Sequence, residues 1–453
     1  MFWEKEGKLI YSYDGETVCI EAWGKDALRV RATKNRSFTG RDWALEAKDA
    51  HAGEVEIFED PSAKGGAFAN MYEGTDTSYG KITNGKLHAV IDSGSVITFY
   101  HEDGRVLLKE HFRRLRDEES MPLNIMGREY SNGVGDNFRI VARFVARKGE
   151  KIFGMGQYQQ HELDLKGCML ELAQRNSQVS VPFYLSSIGY GFLWNNPGVG
   201  QVMFANNGTE WVTESGKEID YLVIAGDTPA EIEENYMTLT GKPPMMPEYG
   251  MGFWQCKLRY WNQEQLLSVA RKYKELGIPL DVIIVDFFHW TKQGEFKFDP
   301  KYWPDVPGMC RELKEMGIQV VVSVWPTVDI YSENFEEMKE KGYLVRTEHG
   351  VPLTMLCSGN EVFFDATNPD ARTYVWEKIK KNYYDQGAKL FWLDVAEPEY
   401  SVYDFKNYRY QLGSVQEVGN IYPKYYLKAF YDGMTAEGDT MPISLIRSAW
   451  AGS

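Results

Sequence analysis

The first half of the chain repeats short runs in which apolar and polar positions alternate. Thr17–Trp23, Leu28–Thr33, Leu87–Ile91, Val96–Tyr100, Phe138–Phe144, Val179–Ser186 and Gly191–Trp194 have this form or are wholly apolar. A period of two places successive side chains on opposite faces of a strand, so one face can be buried. Turn dipeptides such as Asp14-Gly15 and Asp103-Gly104 separate the runs. Residues 1–225 are therefore expected to form a β-sandwich of antiparallel sheets.

Residues 226–247 carry Pro229, Pro243, Pro244 and Pro247 and read as a linker. From 248 to 453 the pattern changes to strand-like runs alternating with helical ones. Gly250–Gln255 reads as a short strand. Asn262 can cap a helix, with Gln265 three residues on. Leu266, Ala270 and Tyr273 share one helix face, and Gly277 followed by Pro279 ends it. Leu280–Phe287 is then almost continuously apolar, as a parallel sheet covered on its outer face requires. The unit recurs. Met309, Leu313 and Met316 precede Gly317 and the strand Gln319–Trp325. Asn368-Pro369 opens a helix running to Gly387 and the strand Lys389–Asp394. A helix around Tyr425–Met434 leads to Pro442–Arg447. Five strands in βα repetition point to a TIM barrel or a doubly wound sheet. A closed barrel takes eight strands, so the alternatives are an open sheet or part of a barrel.

Composition narrows the classes. Apolar residues at 43% and charged residues at 25% are ordinary globular usage. Lys and Arg number 50 against 65 Asp and Glu, a net charge of −15. Such a surface repels nucleic acid and anionic lipid. The longest apolar runs are too short for a membrane span. The five cysteines are scattered without a C-x-x-C pair, and the N-terminal residues lack the apolar core of a signal peptide. Both features predict a cytoplasmic protein, in which the sequons at Asn35 and Asn207 arise by chance. Aromatics reach 14%, which suits sugar-binding faces and large cores alike. Homo-oligomerisation is left open.

In parallel αβ units the ligand site lies at the carboxyl ends of the strands. Asp286 and Asp394 each end an apolar strand there. A lone buried charge is expensive, so each is either a structural acid satisfied by its surroundings or a working one. Glu397 follows Asp394 by three residues. An acid-rich turn could hold a metal, but the isolated histidines and the absence of a calcium-loop pattern favour carboxylate chemistry without metal or cofactor. No nucleophile elbow and no phosphate loop is present. Cys256 and Cys310 are expected to be buried. Phe287, Phe288, His289 and Trp290 follow Asp286, and Trp325 ends its strand. Trp290 and Trp325 read as a ligand wall or as core. Trp392 shares a strand face with Asp394 and is expected inside the barrel.

Phe391–Glu399 (FWLDVAEPE) resembles the nucleophile signature of glycoside hydrolase family 31, which contains α-glucosidases and α-xylosidases. Gly252–Trp261, Ile278–Trp290, Lys297–Pro304, Val322–Asp329 and Arg447–Ser453 are similar to its barrel segments, and Phe153–Gln157 and Gly189–Asn196 to its N-terminal domain. The resemblance implies a galactose mutarotase-like N-terminal β-sandwich followed by a TIM (β/α)8 barrel, of which about five strands are present. It implies Asp394 as catalytic nucleophile, with Glu397 supporting its loop. Asp286, Phe288, Trp290, Trp325, Trp392 and Arg447 would bind substrate. The family's acid/base aspartate would lie beyond Ser453, so the 453-residue chain alone is expected to be inactive although its parent is an enzyme.

The leading expectation is a retaining exo-α-glycosidase acting on an oligosaccharide or α-glycoside, most of all an α-xylosidase. FWLDVAEPE is closer to the xylosidase form of the signature, and Phe287-Phe288 could crowd a glucose hydroxymethyl group. An α-glucosidase of the same family is the first alternative, and a non-catalytic carbohydrate-binding relative the second.

Overall fold

The computed structural model describes residues 1–59, 78–92, 94–111, 113–115, 123–357 and 359–453. The N-terminal part is antiparallel β. A large sheet runs in the order Phe2–Lys5, Lys8–Tyr13, Glu16–Trp23, Ala27–Thr33, Ile219–Ala225, Tyr190–Trp194, Val179–Ser186, Ile152–Gln157. A second sheet is built on Ser78–Asn84, Leu87–Ile91 and Ile97–His101, and a third on Phe138–Phe144, Gly208–Gly216 and Gly200–Ala205. One core joins all three: Ile20 and Val30 from the first, Ile82 and Phe99 from the second, Phe144 and Trp211 from the third. The alternating positions thus face one another across sheets, as their period of two dictates.

The stretch 226–247 contains a helix, Pro229–Thr240. Thr228 Oγ1 accepts from the Glu231 amide at 3.2 Å, and Pro229 occupies the first turn, where its missing N–H costs nothing. Ile232 and Leu239 join Trp23, Phe183 and Leu222 of the large sheet to the same core as the αβ region.

Beyond it lies a five-stranded parallel sheet in sequence order: Trp254–Gln255, Val282–Val285, Gln319–Val324, Leu390–Leu393 and Ser444–Ile446. Its connections are the helices Gln263–Glu275, Val306–Glu315, Pro369–Ile379 and Tyr422–Ala436. Asn262 accepts from Gln265 N at 2.9 Å, and Gln265 Oε1 accepts from Trp261 N at 2.7 Å. Gly277 and Gly317 turn the chain at φ of 65° and 74°, a conformation that disfavours a Cβ. Ile283, Val285, Val322, Val324, Phe391 and Leu393 pack with the helix residues Leu266, Met309, Leu313, Val375 and Phe430. Val282, Ile284, Val321, Leu390 and Trp392 occupy the opposite face. The nearly unbroken apolar strands are explained by these two packed faces.

Two expectations are corrected here. Gly250–Gln255 is not one strand: Glu248–Met251 is a 3₁₀ turn and only Trp254–Gln255 pairs. Next to the pairing residues, Asp281 Oδ2 accepts from Phe253 N at 3.0 Å and sits where a side chain on residue 252 would go. The chain between the third and fourth parallel strands also makes an excursion that the periodicity did not reveal. It holds a small antiparallel sheet of Thr327–Asp329, Asn360–Phe363 and Met355–Leu356, and a short helix, Phe335–Glu340.

Candidate active site

Asp286, Trp325, Asp394 and Arg447 follow or end four consecutive strands of the parallel sheet. Val324 pairs with Leu393 and Leu393 with Ile446, so Trp325, Asp394 and Arg447 emerge at one level. Backbone bonds continue the ladder: Asp394 N donates to Val324 O at 3.0 Å and Arg447 N to Leu393 O at 3.1 Å. Parallel pairing in this order is what gathers residues distant in sequence at one rim.

Asp394 is 3% exposed. Its Oδ1 accepts from Val395 N at 2.9 Å and lies 3.1 Å from Arg447 Nη1. Burial pushes its carboxyl above the usual carboxylate range and the Asp286 charge adds to this, while Arg447 and the Val395 amide oppose it. The Trp325 indole N–H also helps to hold the anion, although it falls short of a full hydrogen bond.

Arg447 is the organising cation. It donates from Nε and Nη2 to the two oxygens of Glu397, at 2.8 and 2.9 Å, and from Nη2 to Glu399 Oε2 at 2.7 Å. A planar guanidinium meeting a carboxylate at two points fixes orientation as well as charge. Burial raises Glu397 above the usual range against the pull of Arg447. Burial works against Arg447 too, but Glu397, Asp394 and Glu399 keep it cationic.

Asp286 is also buried, which raises its carboxyl. Oδ1 accepts from Phe287 N at 2.8 Å, and Oδ2 faces Cys256 Sγ at 3.6 Å. Its carbonyl oxygen lies 3.0 Å from His289 Nδ1, whose ring reaches Tyr383 Oη through Nε2 at 2.9 Å. Burial lowers His289 to about 4, so the neutral ring braces the turn. The turns carry backbone strain: Phe288 and Val395 have φ of 61° and 55°, a region that costs a bulky residue about 1–3 kcal/mol and clusters at functional sites.

An aromatic wall adjoins the acids. The rings of Phe287, Phe288 and Trp290 lie 5.2, 6.2 and 6.1 Å from Trp325. Trp290 and Trp325 also line a narrow cavity with Gln293, Phe296, Val324 and Tyr383. Trp325 is largely buried, whereas Trp290, Phe287 and Phe288 are half-buried. Trp392 lies on the same strand face as Asp394, one alternate position nearer the strand start, packed with Val321 and Leu390. A larger cavity, about 470 Å³, opens at the opposite ends of the strands between Val306–Glu315 and residues 385–390, and holds none of these side chains.

The strand-end acids, Arg447 and the wall residues were nameable from sequence. His289, Tyr383, Glu399 and Arg259 were not given roles there. Arg259 donates to Phe288 O at 2.6 Å and stacks over the Trp261 and Phe288 rings. Only the position of Glu399, five residues past Asp394, offered a signal. Cys256 was expected to be buried and is exposed, because the first parallel strand ends at Gln255; Cys310 is buried. All five cysteines are free. Among the described residues no cluster of His, Cys, Asp and Glu is arranged to hold a metal, and no helix is long and apolar enough to cross a membrane.

Two buried acids at the carboxyl ends of parallel strands, with the Trp325 strand between them and aromatics beside them, lie where (β/α)-barrel enzymes carry their sites. Residues 243–453 match the family model of the glycosyl hydrolases family 31 TIM-barrel domain. The chain is 45% identical to an uncharacterized family 31 glucosidase of Pseudescherichia vulneris, covering 99% of this chain and 84% of that protein. It is 30% identical to α-xylosidase A of Aspergillus niger, over 97% of this chain and 62% of that one. A crystal structure of a soil-metagenome α-xylosidase complexed with xylose superposes with a TM-score of 0.92 at 50% identity, covering all of this chain and 66% of the other. The chain therefore belongs to glycosyl hydrolase family 31. It spans just under two thirds of the length of these two xylosidases.

Proposed function

We propose that the protein carrying this chain is a retaining exo-α-glycosidase that releases terminal α-linked xylose. The observation that carries the reading is the buried Asp394 carboxylate at a strand end, held by Arg447 at 3.1 Å and flanked by Asp286 and Trp325. The xylose-bound relative at 50% identity and the Aspergillus α-xylosidase support the choice of sugar.

In this mechanism Asp394 attacks the anomeric carbon through an oxocarbenium-like transition state, and a covalent xylosyl-enzyme forms. Arg447 opposes the burial that raises the Asp394 carboxyl and so favours its anion. Glu397 holds Arg447 from behind. Asp286 accepts sugar hydroxyls, and Phe288, Trp290, Trp325 and Trp392 shape the pocket. Protonation of the leaving oxygen falls to a second carboxylic acid, about 5–5.5 Å from the nucleophile in retaining enzymes. Water then releases the sugar with net retention.

Residues 1–225 are read as the N-terminal β-sandwich, 226–247 as the connection and 248–453 as barrel, with its five parallel strands part of a (β/α)8 closure. Five free cysteines suit a reducing, cytoplasmic setting. An α-glucosidase is the second reading, favoured by the name of the Pseudescherichia relative. Hydrolysis of aryl α-xyloside and aryl α-glucoside, followed by proton NMR, tests both. The xyloside is expected to be preferred and the first-formed sugar to be the α-anomer. Preference for glucoside would select the second reading, and a β-anomer first product would reject retention.

A further inference from the structure

The N-terminal sheets send one turn to the rim of the candidate site. It joins the strands Met169–Leu172 and Val179–Ser186, and three consecutive residues of it touch three different parts of the rim. Gln174 is 3% exposed and has a saturated amide. Its Nε2 donates to Ser180 O at 2.8 Å and to Ala449 O at 3.0 Å. Its Oε1 accepts from Ser180 N at 2.9 Å and from Ser448 Oγ at 3.0 Å. Two bonds thus fix the amide to the strand that follows its turn, and two grip the residues that follow Arg447. Arg175 is held by both oxygens of Glu171 and lies 4.3 Å over the Tyr403 ring. Asn176 Nδ2 donates to Glu399 Oε1 at 3.2 Å, and the other oxygen of that carboxylate accepts from Arg447.

We infer that Gln174 is a positioning residue for Arg447, with Asn176 assisting through Glu399, so that the N-terminal sheets set the aim of the guanidinium on Asp394. A buried amide with all four bonding positions filled cannot shift without leaving polar groups unpaired, which makes it a rigid support. Its partners lie 274 and 275 residues away, on the segment that leaves the fifth parallel strand. The Arg447 amide is tied to Leu393 O at 3.1 Å on one side, and Gln174 holds the residues that follow it, Ser448 and Ala449, on the other.

The inference rests on the reading of Asp394 as nucleophile, and the test separates the two. Gln174→Ala, Ser448→Ala and Asn176→Ala are made in the full-length protein, beside Asp394→Asn, and assayed on aryl α-xyloside across pH. The charged and titratable groups around Asp394 are Arg447, Asp286, Glu397, Glu399 and Tyr426. None is altered in the three positioning variants. A displaced Arg447 relieves Asp394 of its nearest cation, so the acidic limb of kcat/KM should move to higher pH.

Gln174→Ala is expected to lower kcat about 10- to 100-fold, the size of effect that small misplacements at an active site produce, with KM within a few-fold of wild type. Ser448→Ala and Asn176→Ala each remove a single tie and should give smaller changes in the same direction. They carry the test if Gln174→Ala does not fold. Folded variants with an unmoved acidic limb and unchanged kcat overturn the inference while Asp394→Asn is inactive. A fall in melting temperature alone, without the pH shift, marks Gln174 as structural and also overturns it. Full activity in Asp394→Asn rejects the nucleophile instead.

Discussion

Arg447 grips both oxygens of Glu397 through Nε and Nη2, while Nη1 reaches Asp394 Oδ1 at 3.1 Å. The pairing with Glu397 is bidentate, so it sets the direction from which Asp394 is addressed. Arg447→Lys keeps the charge and loses the fork. We predict a fall in kcat and an acidic limb of kcat/KM displaced to higher pH. Arg447→Met also strands Glu397 in the interior, which should cost roughly 3 kcal/mol in urea unfolding, the low end for a broken buried pair because the arginine is a quarter exposed.

Asp286 acts on Asp394 with the opposite sign. Its negative charge adds to the upward push on the Asp394 carboxyl. Asp286→Asn should therefore move the acidic limb to lower pH, while the loss of charged hydrogen bonds to sugar lowers kcat/KM about 10- to 100-fold. A pH–rate profile of this variant beside Arg447→Lys would show limbs displaced in opposite directions.

His289 supplies a stability prediction away from the chemistry. Burial depresses its folded value to about 4 from an ordinary 6.5. The native state then binds fewer protons than the unfolded chain between those values, so stability falls as pH drops from 6.5 towards 4. The full loss below that window is about 3 kcal/mol. Melting temperatures of wild type and His289→Gln across this range should converge at low pH, because the variant lacks the titrating ring.

Phe287 and Phe288 meet edge-on at 4.6 Å, and both rings approach Trp325. Trimming Phe288→Ala opens space beside Trp325. The ratio of glucoside to xyloside turnover should rise by about 10-fold or more, within the 1–3 kcal/mol that a methylene-sized difference supports. An unchanged ratio would place sugar selection elsewhere.

The strand ends were the legible part of the sequence. An acid that interrupts an apolar run, as in LDVIIVDF and KLFWLD, is costly without a purpose, and both Asp286 and Asp394 lie where parallel topology converges. Helix caps and glycine stops at Asn262, Gly277 and Gly317 were readable because their physics is local. Gly250–Gln255 pairs over Trp254–Gln255 alone, and the bond from Phe253 N to the Asp281 side chain is a contact that hydrophobic period cannot express. The same limit hid His289 with Tyr383, 94 residues apart, and Gln174 with Ser448. Such pairs exist only once sheet order has been set, and no local pattern marks them in advance.

Trapping the covalent intermediate decides whether Asp394 is the nucleophile. The full-length protein is treated with an activated fluorinated α-xylosyl fluoride, digested with protease and mapped by mass spectrometry. One fluoroxylosyl adduct is expected, at the carboxylate of Asp394. An adduct on Asp286, Glu397 or Glu399, with Asp394 unmodified, would contradict it.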